Sequence, residues 1–224
     1  MTDAHTHIVR GEARSFICAP FGSGPRSGDV VFYGTHPWFL AGHRTAAVRA
    51  VLAADPHAGV GEIGLDRLRD RTISAEMRGV FAEQLELAAE FRRPVVLHGA
   101  KCWGEVVKAC KPHAGKIPAF LFHGFSRSGG LLPDICALNG FVSVGPAVLN
   151  DHAVNYRELV KEIPLERLLV ETDVDVGRCD GEGAAATPSA EAVLKGTAAV
   201  RGMDAVELEG VVAANARRFV ESLA

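Results

Sequence analysis

From residue 59 onward the chain repeats a single pattern, in which a short apolar run of strand length is followed by a longer segment of helical period. The runs are Gly59–Ile63, Pro94–His98, Ala119–His123, Gly140–Val144 and Leu168–Thr172. Between and after them, helical periodicity marks Ile73–Phe91, Trp103–Lys111, Arg127–Leu138, Asn155–Ile163, Ser189–Arg201 and Asp204–Leu223. Upstream, Val30–Gly34 reads as a strand and Thr45–Ala54 as its helix. Strands that alternate with helices lie parallel, and runs apolar at almost every position belong to strands covered on both faces.

Two architectures satisfy that pattern, an open doubly wound sheet and a closed TIM-type barrel. No glycine-rich phosphate fingerprint follows the first strand, which weighs against the nucleotide-binding open sheet. The length of 224 residues suits one domain spanning 1–224, and 48% hydrophobic residues suffice for a sizeable core. A net charge of −3 creates no global field for polyanions. No run approaches the roughly 20 apolar residues of a membrane span, and Met1–His5 does not open a signal peptide. Five cysteines without a CxxC pair read as reduced, buried thiols of a cytoplasmic protein.

The polar residues at the strand ends favour the barrel. The first run ends in Asp3-Ala4-His5-Thr6-His7, the third in Gly34-Thr35-His36-Pro37-Trp38, and the next in Gly61-Glu62-Ile63-Gly64-Leu65-Asp66. Later runs end in His98, in His123 and in Glu171-Thr172-Asp173. In a parallel barrel these ends meet on one face, where active sites are built. Positions i and i+2 of a strand share a face, so His5 and His7 can offer two imidazoles to one ion. Glu62 can bridge two cations, with His98 and His123 completing the ligand set of the second ion. Asp173 can ligate the first ion and accept a proton from an attacking water. Mixed imidazole and carboxylate donors suit zinc, manganese, nickel or magnesium, so two divalent ions are expected.

The set DAHTH, GTHPWF, GEIGLD, VVLHGAKCW, FHGFS and LLVETD resembles the TatD family of metal-dependent hydrolases, over residues 2–219. The closing Asn215-Ala216-Arg217-Arg218-Phe219 is similar to that family's C-terminal ending. The resemblance implies a TIM-type barrel of the amidohydrolase kind. His5, His7, Glu62 and Asp173 would hold one ion, and Glu62, His98 and His123 the other. It also implies phosphodiester hydrolysis at nucleic-acid ends or in a small phosphodiester. An amide, lactone or other ester substrate is the alternative, since the same centre can attack a carbonyl, and a non-catalytic metal-binding scaffold is a third reading.

Around this centre His36, Asp66, Lys101 and Arg127 are candidates for substrate binding, each also explicable as turn packing or solvated charge. Trp38 and Phe39 are expected in the core, with a base-stacking wall as the alternative. His43, His57, His113 and His152 read as surface residues, and Cys179–Ser189 as a loop over the site. Only about thirty residues separate His7 from His36, too few for the first two outer helices. Parallel neighbours usually need a crossover of about a dozen residues, so Arg14–Ala19 is expected antiparallel between the first and third strands of a distorted barrel. A second copy of the chain, in a homodimer, or the C-terminal helix would then cover the bare flank.

Overall fold

The computed structural model describes residues 1–7, 14–19, 27–126, 129–174 and 188–223. Eight strands follow one another around a single sheet in sequence order. They are β1 (Thr2–Thr6), β2 (Arg14–Ala19), β3 (Val30–Tyr33), β4 (Gly59–Asp66), β5 (Val95–Ala100), β6 (Phe120–Phe122), β7 (Gly140–Val144) and β8 (Leu168–Val170). All seven ladders between these strands, from β1–β2 through β7–β8, are parallel. The ring is drawn shut just past β8, where Asp173 N–H donates to the His5 carbonyl at 3.1 Å and His7 N–H to the Val174 carbonyl at 2.9 Å. The expected TIM-type barrel is therefore the observed one.

The outer layer comprises α1 (Thr45–Ala54), α2 (Ala75–Glu90), α3 (Trp103–Cys110), α4 (Leu132–Ala137), α5 (Val154–Glu162), α6 (Ala190–Arg201) and α7 (Ala205–Phe219). Among the described residues no α-helix precedes Thr45. Local chemistry sets several helix starts: the Ser74 and Ser189 side chains accept the Met77 and Ala192 N–H groups, and Asp204 accepts those of Val206 and Glu207. α2 buries Met77, Val80, Phe81, Leu85 and Ala88, the stripe its period displays. α4 is shorter than the sequence suggests, starting at Leu132 with Pro133 in its first turn, where proline's missing N–H costs nothing.

The direction of β2 overturns the antiparallel expectation. Thr2 is in register with Arg14 and Asp3 with Ser15, both strands running the same way, and β2 continues parallel into β3. A helical crossover is unnecessary because the strands are short. β1 has 5 residues, about 17 Å of extended chain, whereas the seven residues from His7 to Ala13 can span roughly 23 Å. That reach is enough to return directly to the start of β2.

At the floor of the barrel, α7 packs against β8 and β1. Phe219 is fully buried there among Phe16, Phe32 and Phe141, at ring-centroid distances of 5.6, 5.8 and 5.8 Å. Asn215 donates to the Leu165 and Leu168 carbonyls at 2.9 and 2.8 Å. The closing Asn215–Phe219 motif thus anchors the last helix beneath the strands. No helix among the described residues is long and apolar enough to cross a membrane.

Candidate metal centre

Glu62 lies at the middle of the C-terminal face, on β4 between β3 and β5, and is almost wholly buried. Gly64 lets β4 approach β5 this closely: a Cβ at residue 64 would lie 2.0 Å from the His98 carbonyl oxygen. Imidazoles surround the Glu62 carboxylate. Its Oε1 is 2.6 Å from His123 Nε2, 2.7 Å from His98 Nδ1 and 3.5 Å from His36 Nε2. Its Oε2 is 3.2 Å from His7 Nε2 and 3.5 Å from His5 Nε2. Asp173 approaches from the other side, with Oδ1 3.4 Å from His5 Nε2. The six residues expected at a two-ion centre therefore converge on one spot.

The donor atoms fall into three overlapping groups, each compact enough for one cation: His5, His7 and Glu62; His5, His123 and Asp173; and His36, Glu62 and His98. His36 thus stands among the potential ligands, closer to the centre than a residue that touches only substrate. The donor set fits a divalent ion on a second ground. His5 Nε2 is buried without a hydrogen-bond partner, although it faces the carboxylates of Glu62 and Asp173. Desolvating such a nitrogen opposite two anions is costly unless a cation or proton lies between them.

The electrostatics agree. Burial alone would raise the Glu62 carboxyl, yet the imidazoles of His123 and His5 hold it well below the usual carboxylate range. Partial desolvation likewise opposes ionisation of Asp173, but its contacts with His5 and His123 keep its pKa lowered. Burial and the neighbouring His5 push His123 down, whereas Glu62 and Glu171 outweigh them and raise it to about 10.

A carboxylate stands behind each of two histidines, and behind His98 it is within hydrogen-bond distance. His98 Nε2 lies 2.9 Å from Asp66 Oδ2, which also accepts from Trp38 Nε1 at 2.9 Å. Asp66 Oδ1 accepts the N–H groups of Leu68 and Arg69. Asp66 is therefore a buried clamp on His98 and the following loop, the loop-positioning role the sequence also allows it. Glu171 accepts from Gly124 N–H and Ser143 Oγ, with Oε2 3.8 Å from His123 Nδ1. Nothing in the sequence singles out Glu171 for that role except its place beside Asp173.

The remaining candidates divide. Lys101 is exposed and directly follows β5. Arg127 and the loop residues Cys179–Thr187 lie outside the described residues. The core expectation for Trp38 and Phe39 does not hold: they are 45% and 48% exposed, on the loop after β3. His36 and Asp66 draw that loop over the centre, which turns both rings toward its mouth. His113 is buried instead of superficial, because the turn ending α3 folds it back against α2.

The match to a family model, TatD-related DNase, covers residues 26–221. The chain belongs to the TatD-related DNase family. It is 34% identical to the 3'-5' ssDNA/RNA exonuclease TatD of Klebsiella pneumoniae (strain 342), over 62% of this chain and 55% of that protein. It is 30% identical to YabD of Bacillus subtilis (strain 168), an uncharacterized metal-dependent hydrolase, over 57% of this chain and 50% of YabD. The chain spans about half the length of these curated relatives. Among solved structures, the fold is shared with the TatD homolog YJJV from Escherichia coli, at TM-score 0.77 and 23% identity over 92% of this chain and 85% of that one. It is shared also with a TatD-family hydrolase from Entamoeba histolytica, at TM-score 0.72 and 12% identity over 97% of each chain.

Proposed function

We propose that this chain is a divalent-metal-dependent phosphodiesterase that removes nucleotides from nucleic-acid ends. The observation that carries this reading is one buried carboxylate, Glu62, ringed by five imidazoles and faced by Asp173. His5, His7, Glu62 and Asp173 would hold one ion, and Glu62, His98 and His123 the other, with His36 able to join the second. Bound divalent cations supply Lewis acidity, which polarises a phosphoryl oxygen and makes water more acidic. Family membership and the exonuclease name of the Klebsiella relative favour a nucleic-acid end over a carbonyl substrate.

The protein's own groups divide the remaining work. Asp173 is half-exposed and ionised at neutral pH, so its Oδ1 can take a proton from water entering at the mouth. The exposed faces of Trp38 and Phe39 offer a platform for a terminal base, a contact worth about 1–3 kcal/mol per stacked base. Lys101 and Arg127 would neutralise phosphate charge as substrate-binding residues. With a net charge of −3, binding should weaken with salt along a shallow slope.

The test is hydrolysis by purified protein loaded in turn with zinc, manganese, nickel or magnesium. End-labelled single-stranded DNA and RNA, a nitrophenyl phosphodiester, lactones and dipeptides form the panel. Stepwise shortening of the oligonucleotides, lost on chelation, is expected. Turnover of lactones or dipeptides with no cleavage of any phosphodiester would overturn the proposal.

A further inference from the structure

Cys18 is fully buried on β2, and two of its groups face the first pair of histidines. Its Sγ lies 3.5 Å from His5 Nδ1, and its backbone oxygen accepts from His7 Nδ1 at 3.0 Å. On each ring the other nitrogen, Nε2, is the one that faces Glu62. We infer that Cys18 is a positioning residue for both histidines of the pair, holding each ring through Nδ1 so that Nε2 is presented to a divalent cation. This inference rests on the metal-centre reading proposed above.

An imidazole donates from one nitrogen and coordinates through the other, so whatever accepts the Nδ1 proton selects the tautomer and the ring plane. A thiol sulfur is a weak but adequate acceptor, and its size makes a separation near 3.5 Å an ordinary contact. His98 has the Asp66 carboxylate behind it at 2.9 Å and His123 has that of Glu171 at 3.8 Å, whereas behind His5 and His7 stand a thiol and a carbonyl of one residue. The placement depends on the strand direction. With β2 parallel to β1 and Thr6 in register with Ile17, Cys18 falls beside the histidine pair, and Phe16, two residues earlier, faces the floor of the barrel.

The contact of His7 is with a backbone oxygen and survives substitution, while that of His5 is with the side chain and does not. Cys18→Val and Cys18→Ala both remove the acceptor, the first filling much of the sulfur's space and the second avoiding any overpacking. Cys18→Ser restores a hydrogen-bonding atom. The readout is zinc affinity and stoichiometry by competition with a chromophoric chelator, with thermal unfolding of each metal-free variant alongside. We expect wild type to bind two zinc ions. Valine and alanine should weaken one ion by about 10–100-fold, the loss typical of removing an outer-shell partner, and leave the other unchanged, with serine recovering most of the loss. Valine and alanine variants that hold both ions as tightly as wild type would overturn the role of Cys18 alone. Equal weakening by serine, in step with lost thermal stability, would also overturn it, reducing the residue to packing. Failure of wild type to bind any zinc would instead remove the metal-centre reading, and this inference with it.

Discussion

Phe219→Ala should separate the stability of this barrel from its chemistry. The ring is completely buried at the floor, 5.6–5.8 Å from three other phenylalanine rings, and it ties α7 to strands β2, β3 and β7. Truncating a buried phenylalanine forfeits its transfer energy and leaves a cavity, together about 3–5 kcal/mol. The floor cannot easily collapse, because Phe16, Phe32 and Phe141 are held by the parallel ladders of the strands. For a domain of 150–250 residues each kcal/mol corresponds to roughly 2–4 °C in Tm, so a fall of about 6–20 °C is expected. The metal donors sit at the opposite ends of the strands, so zinc stoichiometry at a temperature where the variant is folded should be that of wild type. Scanning calorimetry of metal-free protein and elemental analysis of the loaded protein make the two measurements. A Tm drop below about 3 °C would refute the floor-plug account, and loss of zinc from the folded variant would refute the separation.

Three further outcomes follow from the centre itself. Asp173→Asn keeps the side chain's shape but removes its ability to take a proton, so turnover should fall by about 10²–10⁴-fold while circular dichroism is unchanged. Unimpaired rates would assign proton transfer elsewhere. Glu62→Gln should act earlier, at binding: it removes the anion shared by all the imidazoles, so elemental analysis should find less than the wild-type metal content. Metal affinity should also strengthen as pH rises. His123 is raised to about 10, His5 and His98 are raised too, and a cation must displace their protons to bind. Isothermal titration in buffers of different ionisation enthalpy should show proton release on binding, and a pH-independent affinity between pH 6 and 9 would contradict this.

The order of the centre's residues was legible in the sequence because a parallel barrel converts it directly into space. Each strand end delivers its polar residue to the same face, so His5, His7, Glu62, His98, His123 and Asp173 could be assembled without a contact map. The apolar runs and helical stripes likewise mark β4 to β8 and α2 to α7, since burial on both faces and burial on one face leave different periods.

What only the tertiary structure decided are contacts between strands whose separation along the chain carries no local signature. The direction of β2 depends on whether a short link can span a short strand, a matter of reach between two ends that periodicity does not encode. That direction in turn makes a cysteine that reads as a small core residue the partner of two histidines. Asp66 reads equally as a ligand contact or a loop-positioning group, and the close approach of β4 and β5 brings it to His98, Trp38 and the loop amides. Trp38 and Phe39 read as core by their hydrophobicity, yet stand at the mouth because His36 and Asp66 pull their loop over the centre. The sequence by itself determines which polar residues the strand ends deliver to one face; long-range packing determines which partners each of them then meets there.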